Sequence, residues 1–148
     1  MKKMKVLRLA LYIMVVGLIS AGCSGDDGPI RANPNLPNLN INLTLDLNLP
    51  QYNPLNFPGN AFVTQLQGVR GIVIYNIDNS QYTAFEIACP NTPVSDCSSM
   101  TVEGITATCP CNGNQYNIIT GQITAGEGQY PMLAYRITRS GDQLTINN

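Results

Sequence analysis

The chain has 148 residues, a formal net charge of −1 and neither histidine nor tryptophan. That length suits one domain with a modest core, and a second domain is not expected. Lys2, Lys3, Lys5 and Arg8 crowd the start, so the remainder sets four arginines against all nine acidic residues, a formal −5 that speaks against a nucleic-acid partner.

Residues 1–22 read as a signal peptide. A cationic start is followed by a short apolar run, Leu9 to Ile19, and by the small residues Ser20, Ala21 and Gly22. The run is short for a membrane-spanning helix, which needs roughly 20 apolar residues. Cys23 is the expected lipid attachment point. Two or more acyl chains there would anchor the protein stably, each buried methylene contributing roughly 0.8 kcal/mol. The expected partners are therefore the membrane, through lipid on Cys23, and an envelope protein of unknown identity. The expected location is the outer membrane or cell surface of a bacterium, facing an oxidising compartment. Ser24-Gly25-Asp26-Asp27-Gly28 resembles the acidic tether that sends some lipoproteins to the outer surface, and it equally suits a solvated spacer. The linker is expected to run through residue 38, because residues 29–38 are rich in Pro and Asn and poor in apolar side chains.

The folded domain is expected over residues 39–148. Leu39, Ile41, Leu43, Leu45, Leu47 and Leu49 alternate with polar residues, the period of a half-buried strand. Pro50, Pro54, Pro58 and Gly59 then force a loop. Further strands are expected over residues 61–66, 71–77 and 82–88, the last two joined by a turn at Asp78-Asn79-Ser80. Residues 105–108, 115–118 and 133–138 read as strands, and 144–147 closes a hairpin through Ser140-Gly141-Asp142. No useful helical periodicity follows Cys23. Many short strands at close spacing predict an all-β fold, a small antiparallel sandwich or barrel.

Four cysteines lie beyond Cys23: Cys89, Cys97, Cys109 and Cys111. In an oxidising compartment two disulfides are the default. Cys109 and Cys111 are too close to bridge each other without strain, and in an extended segment they point to the same side, toward partners in the Cys89 to Cys97 stretch. The expected pairing is Cys97 with Cys111 and Cys89 with Cys109. Closing a loop of about 15 residues contributes roughly 3 kcal/mol in the chain-entropy picture.

Cys89-Pro90-Asn91, then 17 residues, then Cys109-Pro110-Cys111-Asn112-Gly113-Asn114-Gln115-Tyr116-Asn117 resembles the two cluster-binding loops of Rieske iron-sulfur proteins. That family reads C-x-H, a similar gap, then C-P-C-H-G-S. Thr120-Gly121, Gly126-Glu127-Gly128 and Pro131-Met132-Leu133 extend the likeness, which covers residues 85–137 most specifically. The resemblance implies that Cys89 and Cys109 occupy thiolate ligand positions, Asn91 and Asn112 the imidazole positions, and Cys97 and Cys111 the bridging disulfide. It also implies that Tyr116 occupies a position that donates to a ligand thiolate. Here, however, both histidine positions hold asparagine, and a Rieske centre needs two imidazoles on one iron. Asparagine offers only a neutral amide oxygen, a poor ligand for that iron. The serine that bonds to cluster sulfur is likewise replaced, by Asn114. The expectation is a degenerate Rieske-like domain without its cluster and without a bound metal, its orphaned thiolate positions oxidised to a second disulfide. The alternative is an electron-transfer protein whose [2Fe-2S] cluster is held by all four cysteines, Cys89 and Cys109 first among them, with Cys97 and Cys111 swung into ligand positions.

An enzyme is not expected, because past the leader there is no His or Lys to accept a proton. Glu86, Asp96, Glu103 and Glu127 are near enough in sequence to be considered as carboxylate pairs, but they read as solvated loop acids. Tyr116 and Tyr130 read as core or rim packing. Any ligand or partner is expected at an exposed tip formed by residues 90–96, 112–114 and 127–129.

Overall fold

The computed structural model describes residues 33–148, so the expected signal peptide over residues 1–22, the lipid site Cys23 and residues 24–32 of the linker lie outside the described residues. Among the described residues ten strands run in chain order: β1 (Asn42–Asp46), β2 (Ala61–Thr64), β3 (Ile72–Asn76), β4 (Tyr82–Glu86), β5 (Thr101–Glu103), β6 (Thr106–Thr108), β7 (Gln115–Asn117), β8 (Ile123–Ala125), β9 (Arg136–Ser140) and β10 (Gln143–Asn147). They form three antiparallel sheets of order β1-β10-β9, β2-β3-β4 and β5-β6-β7-β8. Among the described residues no helix is long and apolar enough to cross a membrane.

The middle sheet explains the architecture. Ile72-Val73-Ile74-Tyr75-Asn76 of β3 is buried along its whole length, where an alternating strand would expose one face. Its side chains still alternate in direction. Ile72 and Ile74 join a cluster with Leu45, Leu55, Leu144 and Ile146, whereas Val73 and Tyr75 join one with Cys89, Cys109, Tyr116 and Ile118. A strand buried on both faces reads as a near-continuous apolar run, as Ile72 to Tyr75 do, while the buried Asn76 at its end donates to Leu55 O and Asn79 Oδ1. The β1-β10-β9 sheet contributes Leu45, Leu144 and Ile146 to the first cluster, and β7 contributes Tyr116 to the second.

In β1 the period of two is realised: Ile41, Leu43, Leu45 and Leu47 are buried, but the strand is shorter than the pattern, and Leu39 and Leu49 are exposed at its ends. Pro50 and Pro54 sit in a 3-10 helix, Pro50–Asn56, that buries Tyr52 and Leu55, where the sequence pointed only to a loop. The Asp78-Asn79-Ser80 turn joins β3 to β4, with Asn79 at φ +68. There the Asp78 carboxylate accepts from the Ser80 hydroxyl and from the Ser80 and Gln81 amides. These bonds hold its pKa below the ordinary value, the Ser80 hydroxyl contributing most.

Three expectations are corrected. The strand read over residues 133–138 is split between sheets. Leu133, Ala134 and Tyr135 lie along β4, with Glu86 N–H bonded to the Leu133 carbonyl and Tyr135 N–H to that of Ala84, before the chain enters β9 beside β10. β5 and β8 did not show in the sequence, since three residues are too few to display a period. The linker also ends sooner than residue 38: Leu36 is buried, and Asn33 and Asn35 donate to the Pro90 carbonyl at 2.8 and 3.0 Å. Asn-rich sequence looks like solvated chain, yet amides that find a carbonyl 55 to 57 residues away dock it.

Candidate functional site

Two loops converge beside the second core cluster. The first is closed by antiparallel pairing of residues 87–89 with 98–100: Cys89 N–H bonds to Ser98 O at 2.8 Å and Met100 N–H to Ile87 O at 2.8 Å. The second, between β6 and β7, turns back within six residues. Cys109 N–H reaches Asn114 O at 2.8 Å and Gly113 N–H reaches Cys109 O at 2.9 Å, the turn relying on Gly113 at φ +73.

The structure joins Cys89 to Cys109 and Cys97 to Cys111, with Cα separations of 5.6 and 5.2 Å. The two bridges have opposite environments. Cys89 and Cys109 are both 0% exposed and belong to the core, while Cys97 is exposed and Cys111 half-buried. The Cys111 sulfur nevertheless lies within 4.8 Å of the sulfurs of Cys89 and Cys109. As a metal site this trio is closed, because a cystine sulfur is not the thiolate that binds metal.

Asn91 and Asn114 hold a third loop against the first two. The Asn91 amide donates to the Tyr116 hydroxyl at 2.9 Å and the Tyr130 carbonyl at 2.7 Å, and its oxygen accepts from the Gln129 and Tyr130 amides at 2.9 and 3.0 Å. The four bonds use its full capacity as an amide. Asn114 donates to the Glu127 carbonyl at 2.8 Å and accepts from the Glu127 amide at 3.3 Å. The loop they clasp is glycine-rich for a steric reason: a Cβ at Gly126 would collide with Asn114 and one at Gly128 with Asn91. Asn112 is exposed, and its oxygen caps the Asn114 amide at 3.0 Å. Tyr116 is fully buried, and its hydroxyl accepts from Asn91; Tyr130 is half-buried and contributes backbone groups.

The exposed tip is smaller than expected. Pro90 and Asn114 are buried, whereas Pro93, Val94, Ser95, Asp96, Asn112, Gly113, Glu127, Gly128 and Gln129 are exposed. Beside the tip, the Thr92 hydroxyl is buried with no hydrogen-bond partner.

Glu86 corrects the reading of the acids as solvated loop residues. It lies in β4 and is 0% exposed. Its carboxylate accepts from the amides of Val69, Arg70 and Ala88 at 2.7, 2.9 and 2.9 Å and from the Tyr135 hydroxyl at 2.8 Å. A buried carboxylate is tolerated when its lone pairs are filled by donors in this way. Burial above all, and then the Glu86 charge and hydrogen bond, push the Tyr135 pKa far up. The signal in sequence was position: Glu86 stands between Phe85 and Ile87 in an apolar strand, where a solvated acid does not belong. By fixing the residue 68–70 turn, Glu86 also aims Arg70 at the first cysteine loop. The guanidinium reaches Ser98 Oγ at 3.4 Å and the Ser95 carbonyl, and Ser95 Oγ in turn stands 3.4 Å from Cys97 Sγ and 3.7 Å from Cys111 Sγ.

The donor set does not fit a Rieske cluster. The chain has no imidazole, the amide of Asn91 is spent on backbone and Tyr116, and the two thiolate positions are joined to each other inside the core.

No protein-family model matches the chain, and no curated protein matches it. Among solved structures it is similar to a cyanobacterial plasma-membrane Rieske protein from Synechocystis PCC 6803, at 17% identity and TM-score 0.48, covering 75% of this chain and 100% of that one. It is similar to a chain in the complex of reduced oxygenase and oxidised ferredoxin of carbazole 1,9a-dioxygenase, at 21% identity and TM-score 0.45, covering 61% and 82%. A Sphingomonas yanoikuyae B1 ferredoxin matches at 19% identity and TM-score 0.43, covering 62% and 88%. The fold itself is antiparallel β with two disulfides.

Proposed function

We propose that this chain is a lipid-anchored envelope protein whose Rieske-like domain works without an iron-sulfur cluster, as a binding or structural module. The observation that carries this reading is the state of the four ligand positions. Cys89 and Cys109 are bonded to each other, Asn91 is committed to four hydrogen bonds, and Asn112 offers a neutral amide already engaged with Asn114. Replacing two imidazoles by two amides removes the ligands that define a Rieske iron. Lipid on Cys23 is the proposed anchor, supported by the charged, apolar and small-residue segments before it.

The proposed contact surface is the tip around Pro93, Val94, Ser95 and Asp96. Val94 is 41% exposed there, a large apolar side chain that a partner would cover.

Metal and sulfide analysis of anaerobically purified protein, with visible and EPR spectra, tests the reading. A colourless, iron-free protein whose intact mass rises by four hydrogens on reduction is the expected result. Stoichiometric iron with acid-labile sulfide and an EPR signal would overturn it in favour of cysteine-held [2Fe-2S] electron transfer. Labelling of Cys23 by a fatty-acid precursor in cells tests the anchor separately.

A further inference from the structure

We infer that the two disulfides form an exchange relay, in which reduction of the exposed Cys97–Cys111 bond by an external dithiol lets Cys111 open the buried Cys89–Cys109 bond. The inference rests on the cluster-free reading, since it needs all four cysteines as cystines. Two observations carry it: the difference in exposure between the bridges, and the Cys111 sulfur lying within 4.8 Å of both buried sulfurs. A dithiol in solution reaches Cys97 but not Cys89 or Cys109, which are 0% exposed. Thiol–disulfide exchange requires contact between the attacking thiolate and a disulfide sulfur, so direct reduction of the buried bridge is blocked without local opening. Cys111 is the one sulfur of the outer bridge placed to act from within.

The steps balance as follows. A thiolate of the dithiol attacks Cys97 Sγ, forming a mixed disulfide and expelling Cys111 as thiolate. The second thiol of the dithiol closes on the first, leaving the donor as a disulfide and Cys97 as a thiol, so two electrons have entered. The Cys111 thiolate then attacks Cys89 Sγ. The Cys89–Cys111 bond forms, the Cys89–Cys109 bond breaks, and the negative charge passes from Cys111 to Cys109, with no net redox change in this step. Attack on Cys109 instead would create a bridge across a single residue, which is strained. A second dithiol can then reduce the new bridge from the half-buried Cys111 side.

The surroundings favour the first expulsion. Ser95 Oγ is 3.7 Å from Cys111 Sγ and 3.4 Å from Cys97 Sγ, a hydroxyl able to donate to whichever sulfur carries charge. The Arg70 guanidinium, bonded to the Ser95 carbonyl, adds positive potential on the same side, and both features stabilise a thiolate. Sequence reasoning identified the cysteines but not this adjacency, because Ser95 and Arg70 are loop residues whose positions depend on Glu86 and the closure of the first loop.

The test is partial reduction of the full-length protein by one equivalent of dithiothreitol under native conditions, followed by acid quench, alkylation and peptide mapping. The expected single-disulfide product carries a Cys89–Cys111 bond with Cys97 and Cys109 alkylated. If every single-disulfide molecule instead keeps Cys89–Cys109, the relay is overturned. As a second measurement, a Cys97→Ser/Cys111→Ser double variant lacks the relay thiol, and reduction of its buried bridge is expected to be roughly tenfold slower than in the wild-type protein, as expected when an access route is removed. An equal rate would also overturn the proposal. The wild-type mapping stands alone if the double variant does not fold. Iron and acid-labile sulfide measured on the same preparation separate the two failures: their presence sinks the cluster-free reading, whereas their absence with unscrambled bridges sinks only the relay.

Discussion

The two faces of the central β2-β3-β4 sheet are stabilised by different chemistry. One face packs aliphatic side chains from β1, β10 and the Pro50–Asn56 helix, among them Leu43, Leu45, Leu55, Leu144 and Ile146, and contains no disulfide. The other face packs against a lobe of three-residue strands, where the buried groups include Cys89, Cys109, Tyr116 and Met100. Short strands bury too little apolar surface to hold three loops in place by packing alone, and the cystines and side-chain amides supply the constraint. The first lobe is a core in the ordinary sense, and the second is a set of loops fastened to it.

Mutations that act on one face only sharpen this difference. The largest expected effect is in the aliphatic lobe: Leu45→Ala removes a side chain that is 0% exposed, at a cost of about 3 kcal/mol, because a close-packed site cannot collapse fully around the void. Denaturant unfolding should show it as a shifted midpoint, and hydrogen exchange should quicken throughout the domain. A loss confined to β1 and β10 would mean that the two lobes unfold independently.

Asn91→Ala acts on the other side and is expected to cost about 2 kcal/mol, the net worth of several hydrogen bonds partly repaid by water. Its signature is locality. Amide exchange should quicken over residues 126–131, which Asn91 clasps, with β1 and β10 unchanged. Uniform loss of protection would count against Asn91 as a local clasp.

The smallest expected effect lies at the junction. Tyr135 donates to Glu86 from beside β4, just before the chain enters β9, and Tyr135→Phe should cost about 1 kcal/mol at neutral pH. Burial raises the Tyr135 pKa in the folded state, with the Glu86 charge and hydrogen bond adding to it. The protonated phenol therefore stabilises the fold fully below the unfolded value of about 10, and this contribution falls away as pH rises beyond it. Stability curves of the wild-type and Phe proteins should accordingly converge above that pH; a constant gap would show that Tyr135 does not titrate with unfolding.

The site was partly legible in the chain. The placement of Cys89, Cys97, Cys109 and Cys111 pointed to two facing loops, and the resemblance alone singled out Asn91 and Asn112 within them. The resemblance places Asn91 at a ligand position but does not show it as a clasp, because its partners lie 25 to 39 residues away. Glu86 reads as solvated for a related reason: three of its four donors come from residue 69, residue 70 and residue 135, and nothing in the neighbouring sequence announces those three. Leu36 and the asparagines at 33 and 35 looked like linker because their carbonyl partner belongs to Pro90.

The amino-acid sequence by itself determined the alternation of β1, the continuous apolar run of β3, the turn at Asp78 and the absence of any imidazole. Each depends on residues within a few positions of one another, or on composition alone. Only the tertiary structure decided that β3 is buried on both faces, that one cystine is interior and the other exposed, and that Cys111 stands beside both buried sulfurs. Burial and proximity between distant segments arise when sheets pack, and packing is a property of the assembled chain.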